Sequence, residues 1–195
     1  MFLFRQCSHY RRREGTNTQE GELPCEISSV VSNHPNNCQP LAQFYRIPYF
    51  HFPLRGSNKA AVEDSELSLL TANRTDLIVL APYMQVLSPQ FVTEYPRRII
   101  NVHHSFLQAF TGARPCHAAF ERGVKLIGAT SHYVTNDLDE GPIIEQDVLR
   151  VSHRDQVADL IQKGRDLERA VLSRAVRWHL EHRILFYANK TVIFD

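Results

Sequence analysis

The sequence predicts an α/β chain with an open, mostly parallel sheet flanked by helices and a hairpin at its C-terminal end. Three observations carry that expectation. Short apolar runs alternate with stretches of helical spacing from Cys25 onward, the pattern of strand–helix–strand units. One of those runs, DLIVLA (Asp76 to Ala81), is continuously apolar after its leading Asp76, as a strand covered on both faces must be. Finally, 195 residues with 43% hydrophobic content can bury one sizeable core.

Taken in order, Arg11 to Glu22 is charged, bears Gly, Thr and Asn, and reads as a loop. CEISSVVS (Cys25 to Ser32) reads as a buried strand and NHPNN as the turn that follows it. QPLAQFYRI has helical spacing, IPYFHFPL (Ile47 to Leu54) returns to strand character, and Ala60 to Ala72 is helical. After DLIVLA, PQFVTEY reads as a brief helix and RIINVH as a strand. Helix AAFERGV links to strand LIGATSHYV, and GPIIEQDVLRV continues as another strand. A long helix is expected to begin near Arg154, with Ser152 as N-cap and Asp155 completing a capping-box pattern. Val157, Leu160, Ile161, Gly164, Leu167, Val171 and Trp178 keep to one face, leaving Arg165, Glu168 and Arg169 on a solvated one. ILFYANKTVIF reads as a hairpin around Ala188-Asn189-Lys190. No repeat is evident.

Composition excludes several function classes. Lys and Arg number 22 against 21 Asp and Glu, a net charge of +1, so no nucleic-acid partner is suggested. The Arg11–Arg13 cluster is short and lacks interleaved aromatics. No apolar run reaches the ~18–20 residues of a membrane span, and MFLF falls short of a signal-peptide core of about 7–15 residues. Cys7, Cys25, Cys38 and Cys116 are scattered without a CxxC pair and read as reduced thiols of a cytoplasmic protein. The 10 histidines form no HxxxH pair on a helix, so no metal site is expected.

The chemistry concentrates between Asn101 and Pro142. RIIN delivers Asn101, His103 and His104 to the end of one strand, and LIGATSHYV leads into a turn carrying Asp137 and Asp139. Ligands of open α/β sheets sit beyond such carboxyl ends. An amide can donate to a developing oxyanion, and an imidazole can carry charge or shuttle a proton. A carboxylate beside that imidazole can orient water and favour the charged ring. That set suits attack on an acyl or formyl carbon without a Ser or Cys nucleophile, and no GxSxG elbow is present.

NVHHSF, followed at a distance by HYVTNDLDEGP, resembles the formyltetrahydrofolate deformylases of the folate-dependent formyltransferase family, whose pattern is Asn-x-His and then Leu-Asp-x-Gly-Pro. The resemblance implies a Rossmann-like, doubly wound sheet and hydrolysis of 10-formyltetrahydrofolate to formate and tetrahydrofolate. It implies folate and water as partners and no cofactor, metal or membrane, and leaves a homo-oligomer open. It casts Asn101 as the amide on the formyl oxygen, His103 as the catalytic imidazole and Asp139 as the essential carboxylate. His104 stands where transferases to glycinamide ribonucleotide carry Pro, and no Gly-rich phosphate loop opens the chain, which favours water as acceptor. APYMQVLS resembles the pterin-recognising segment, with Met84, Gln85 and Leu87 as contacts, and Thr135, Asn136 and Asp137 match the loop on the other side of that ring. His132 is either a partner orienting Asp139 or a satisfied histidine.

Departures from the family pattern are Pro82 for a cation, Gln108 for Pro and Cys116 for Tyr. Nothing in this sequence corresponds to the ACT domain with which the deformylases usually begin, and the catalytic domain is expected over residues 23–195. Residues 1–22 read as a divergent or truncated segment in which the family's first strand is short or missing, with MFLF as its substitute. The alternatives are formyl transfer to an amine and a non-catalytic folate-binding remnant.

Overall fold

The computed structural model describes residues 1–6, 23, 25–35, 38–80, 86–104 and 115–194. They fall into two compact units, Met1–Ile99 and Ile100–Asp195, with the division inside one strand.

The first unit contains β1 (Phe2–Gln6), β2 (Cys25–Ser32), α1 (Gln39–Phe44), β3 (Tyr49–His51), α2 (Lys59–Ala72), β4 (Leu77–Leu80) and α3 (Pro89–Glu94). Its strands lie in the order β3-β2-β1-β4. β2 and β3 are parallel, whereas β1 is antiparallel to both β2 and β4. β2, β3 and β4 therefore share one direction, and β1 runs against them. The short first strand expected at MFLF thus forms, with a register shift between Leu3 and Phe4. An antiparallel neighbour needs no crossover helix, which the charged stretch after β1 has no pattern to make. That stretch, with the Arg11–Glu22 loop expectation, lies outside the described residues.

β4 buries all four of its side chains, as its apolar run requires. Strand character expected over Ile47–Leu54 is confined to Tyr49–His51. Pro48 and Pro53 bracket it, and proline donates nothing to a ladder. α1 is likewise shorter than QPLAQFYRI, because Arg46 turns into the left-handed region at φ 56°. α3 starts on Ser88, whose Oγ accepts the Phe91 N–H at 3.2 Å, with Pro89 in the first turn.

The strand spanning the division is β5 (Ile99–His104). The second unit continues with α4 (Pro115–Arg122), β6 (Leu126–Tyr133), β7 (Ile143–Arg150), α5 (Val157–Leu180), β8 (Ile184–Tyr187) and β9 (Lys190–Ile193). β5, β6 and β7 form an antiparallel meander, and β8 and β9 form the expected hairpin. α5 covers one face of β6, where Ala129, Leu167 and Val171 form a core cluster. It begins later than the sequence suggests. Its N-cap is Gln156, locked in a reciprocal box with Asp159. Ser152 and Asp155 instead close the preceding turn: the Ser152 N–H donates to Asp155 Oδ2 at 2.7 Å and the Asp155 N–H to the Ser152 carbonyl at 3.2 Å. Arg174 on α5 ties this helix to β7 through Glu145 (3.0 Å) and Asp147 (2.6 Å). Among the described residues no helix is long and apolar enough to cross a membrane.

Candidate active site

The β5–β6 ladder sets the site. Asn101 lies opposite His132, and His103 opposite Thr130. Side chains alternate along a strand and opposed residues share a face, so Asn101, His103, Thr130 and His132 project together. Val102, His104, Ala129 and Ser131 take the other face, the one that α5 covers.

The connection after β6 brings the carboxylate back over this face. The Tyr133 N–H donates to the Pro142 carbonyl at 3.0 Å, which closes the loop at its base. Gly141 fills that closure where any side chain would strike the Tyr133 carbonyl, 1.7 Å from an added Cβ. Within the loop Asp139 adopts φ 56°, a left-handed conformation that Asp tolerates better than most residues. The hairpin buttresses the loop from outside. Asn189 Nδ2 donates to the Glu140 carbonyl at 2.9 Å and Thr191 Oγ1 to the Ile143 carbonyl at 2.6 Å.

Asp139 Oδ1 consequently lies 3.8 Å from His103 Nδ1 and 3.5 Å from His132 Nε2. The two rings stand edge to face with centroids 5.0 Å apart. His132 is only 2% exposed. Its Nδ1 sits 3.0 Å from the Tyr133 carbonyl, which can only accept, so Nδ1 carries the proton and Nε2 faces Asp139. Burial holds the His103 pKa below the ordinary imidazole value. His132 pushes it the same way, Asp139 opposes this, and His104 adds a smaller lowering. Asn101 Oδ1, His103 Nδ1 and His132 Nε2 are all buried without a hydrogen-bond partner. Unpaired buried groups cost about 1–3 kcal/mol each, and functional sites are one place where proteins keep them.

The structure thus brings together Asn101, His103, His132 and Asp139. It does not bring His104 to them. That ring turns to α5, where Nε2 lies 3.2 Å from Glu168 Oε1 and the ring edge rests on Gly164. Glu168, placed by sequence pattern on a solvated face, is instead half-buried; burial raises its pKa and His104 opposes the rise. Thr135 Oγ1 donates to the Asp137 carbonyl at 3.1 Å, while Asn136 and Asp137 are exposed on the same connection. Leu87 is buried in the first unit. Met84, Gln85, Pro82 and Gln108 lie outside the described residues. Cys116 is half-buried on α4, its thiol pushed up by burial and by Glu168.

Sequence reasoning missed Glu168, Gly164, Asn189 and Thr191. A glycine inside a long amphipathic helix was the one visible signal, since it forgoes about 1 kcal/mol of helix propensity unless something needs the space.

A formyl transferase family pattern matches residues 2–176. The chain is 59% identical over 176 residues to the formyltetrahydrofolate deformylase of Synechocystis, covering 90% of this chain and 61% of that protein. It is 55% identical to the Bacillus subtilis formyltetrahydrofolate deformylase, covering 91% and 59% respectively. It therefore spans about 60% of the length of these curated relatives. The crystal structure of the Burkholderia mallei formyltetrahydrofolate deformylase superposes with a TM-score of 0.86 at 48% identity, covering 90% of this chain and 62% of that one. Glycinamide ribonucleotide transformylase 1 from Symbiobacterium toebii superposes with a TM-score of 0.80 at 31% identity, covering 89% and 82%.

Proposed function

The chain belongs to the formyl transferase family, and from that premise we propose that it hydrolyses 10-formyltetrahydrofolate to formate and tetrahydrofolate. The observation that carries this reading is Asp139 Oδ1 within 3.8 Å of two imidazoles, the buried His132 and the half-buried His103, on the face that also presents Asn101. Relatives named formyltetrahydrofolate deformylase at 46–59% identity support it.

In this reading a water lies against Asp139 and His103 and attacks the formyl carbon. Burial shifts His103 toward its uncharged form, which has a lone pair to take the water's proton. The Asn101 amide, with no partner on its oxygen, turns its N–H toward the developing oxyanion. His132, fixed by its contact with the Tyr133 carbonyl, lies 3.5 Å from the Asp139 carboxylate and floors the site beneath it. The imidazolium of His103 then returns that proton to the folate nitrogen as the C–N bond breaks, releasing formate and tetrahydrofolate. In this reading the step needs no resident cofactor and uses folate and water alone, and a cytoplasmic enzyme is proposed. Thr135, Asn136 and Asp137, together with Met84, Gln85 and Leu87, are proposed to flank the pterin. Since His104 faces α5, its influence on the choice of acceptor is exerted through α5 and the end of β5.

Formate release by the purified chain, run beside Asp139→Asn, tests the reading. The variant is expected to lose about 10²–10³-fold in kcat, the scale of one lost transition-state contact. A folded wild type that binds folate and releases no formate would sink the hydrolase and leave a binding role. The transformylase likeness keeps transfer as the second reading, and a formylated product in the presence of added amine would select it.

A further inference from the structure

We propose that His103 Nδ1, His132 Nε2 and Asp139 Oδ1 form a binding site for one divalent ion of the zinc class, whose occupancy blocks the site. The three atoms lie within 4.8 Å of one another. Zinc bonds of about 2.0–2.2 Å in a tetrahedron require ligand–ligand edges of about 3.3–3.6 Å. The His132–Asp139 separation of 3.5 Å already has that length, and His103–Asp139 at 3.8 Å exceeds it by little. The remaining His103–His132 edge is no longer than 4.8 Å, so an ion must draw the two rings together by about 1.2 Å at most.

Two further observations favour an ion. His132 is 2% exposed and its Nε2 has no hydrogen-bond partner, and His103 Nδ1 is likewise a buried atom without one, so two unpartnered ring nitrogens converge on one carboxylate. In addition, His132 donates its other ring N–H to the Tyr133 carbonyl at 3.0 Å, the arrangement that orients imidazoles bound to metals. Two imidazoles and one carboxylate leave a fourth position open and select zinc-like ions over magnesium or calcium. No sequence spacing signals the set, because its members come from β5, β6 and the following turn.

The blocking half of the proposal rests on the hydrolase reading: an ion there occupies the lone pairs that would take the water's proton. Binding is independent of that reading and is measured without folate. Zinc is titrated against the chain in competition with a chromophoric chelator, for wild type, Asp139→Asn and His103→Gln. Asn tolerates the positive φ at position 139, and a cooperative thermal transition confirms that each variant is folded. Each substitution is expected to remove one equivalent of tight binding and weaken that site at least about tenfold. Equal stoichiometry and affinity in the folded variants would overturn the site. In the activity arm, one zinc equivalent is expected to suppress formate release and chelator to restore it; unchanged or faster release at full occupancy would overturn the blocking.

Discussion

Gly141→Ala tests whether the loop carrying Asp139 is held by backbone closure. Gly141 is not in the left-handed region, so alanine meets no left-handed strain there, and the close approach of the Tyr133 backbone is the expected source of any loss. Its Cβ would lie 1.7 Å from the Tyr133 carbonyl oxygen, 2.9 Å from the carbonyl carbon and 3.3 Å from Thr135 Cγ2. Carbon–oxygen contacts stop near ~3.3 Å, so the backbones must part by about 1.6 Å. The nearest atoms belong to main chain and cannot swing aside as a side-chain end would. The opening falls where the Tyr133 N–H meets the Pro142 carbonyl, two residues from Asp139.

Overpacking of this kind costs about 1–3 kcal/mol in stability, and displacement of a catalytic group by about 1 Å costs about 10²-fold in rate. Formate release and thermal unfolding read the two effects, and ring-nitrogen spectra of His103 and His132 read the geometry directly. Gly123→Ala is the control. It has φ 68° and open space around an added Cβ, so it should lower stability by about 1 kcal/mol and leave the rate alone. Wild-type release and unshifted ring resonances in Gly141→Ala would refute the argument that this closure positions Asp139.

Three further outcomes are expected. An alanine at Gly164 would place its Cβ 3.1 Å from His104 Cε1; Gly164→Ala should therefore stabilise α5 by about 1 kcal/mol in a His104→Ala background but clearly less in wild type, as read by denaturant midpoints. An equal gain in both backgrounds would show that the glycine does not serve His104. Burial holds the His179 pKa down to about 4, and its Nδ1 lies in a 2.7 Å hydrogen bond with the Tyr133 hydroxyl. The unfolded chain then binds more protons between about pH 4 and 6.5. Stability is full above that window and should fall by up to about 3 kcal/mol across it, a slope that His179→Asn should remove. Glu66 is 4% exposed, and burial, with Glu63 second, raises its pKa to about 7. The folded state keeps its proton longer, so stability falls as pH rises from the ordinary carboxylate value through 7. Glu66→Gln should gain up to about 3 kcal/mol above that window and nothing near pH ~4. A pH-independent difference would locate the effect in packing instead.

What was legible in the sequence was what local rules govern. Four consecutive apolar residues made β4 recognisable as a covered strand, and the run RIIN delivered Asn101, His103 and His104 to the end of β5, where the ladder then shows that Asn101 and His103 share a face and His104 does not. What was not legible depended on pairing between distant segments. The direction of β1 is set by its partners β2 and β4, and nothing within FLFRQ distinguishes parallel from antiparallel. His104 and Glu168 each follow a local pattern, and only the packing of α5 on β5 and β6 makes them a pair. The clearest case is His132. Between β6 and β7 the register shifts at Ser131/His132: Ser131 pairs with Glu145, His132 with Ile143, and Ile144 is passed over. Such a bulge increases twist and re-aims side chains. Here it lies where β6 must present His132 beneath the returning Asp139, and where Tyr133 hands its N–H to Pro142. An unbulged ladder would carry β7 one residue further along β6 and leave no closure for Gly141 to fill. The carboxylate's place over the two imidazoles is therefore a property of the β6–β7 register, and substitutions that alter that register should disturb the site even where they touch none of its side chains.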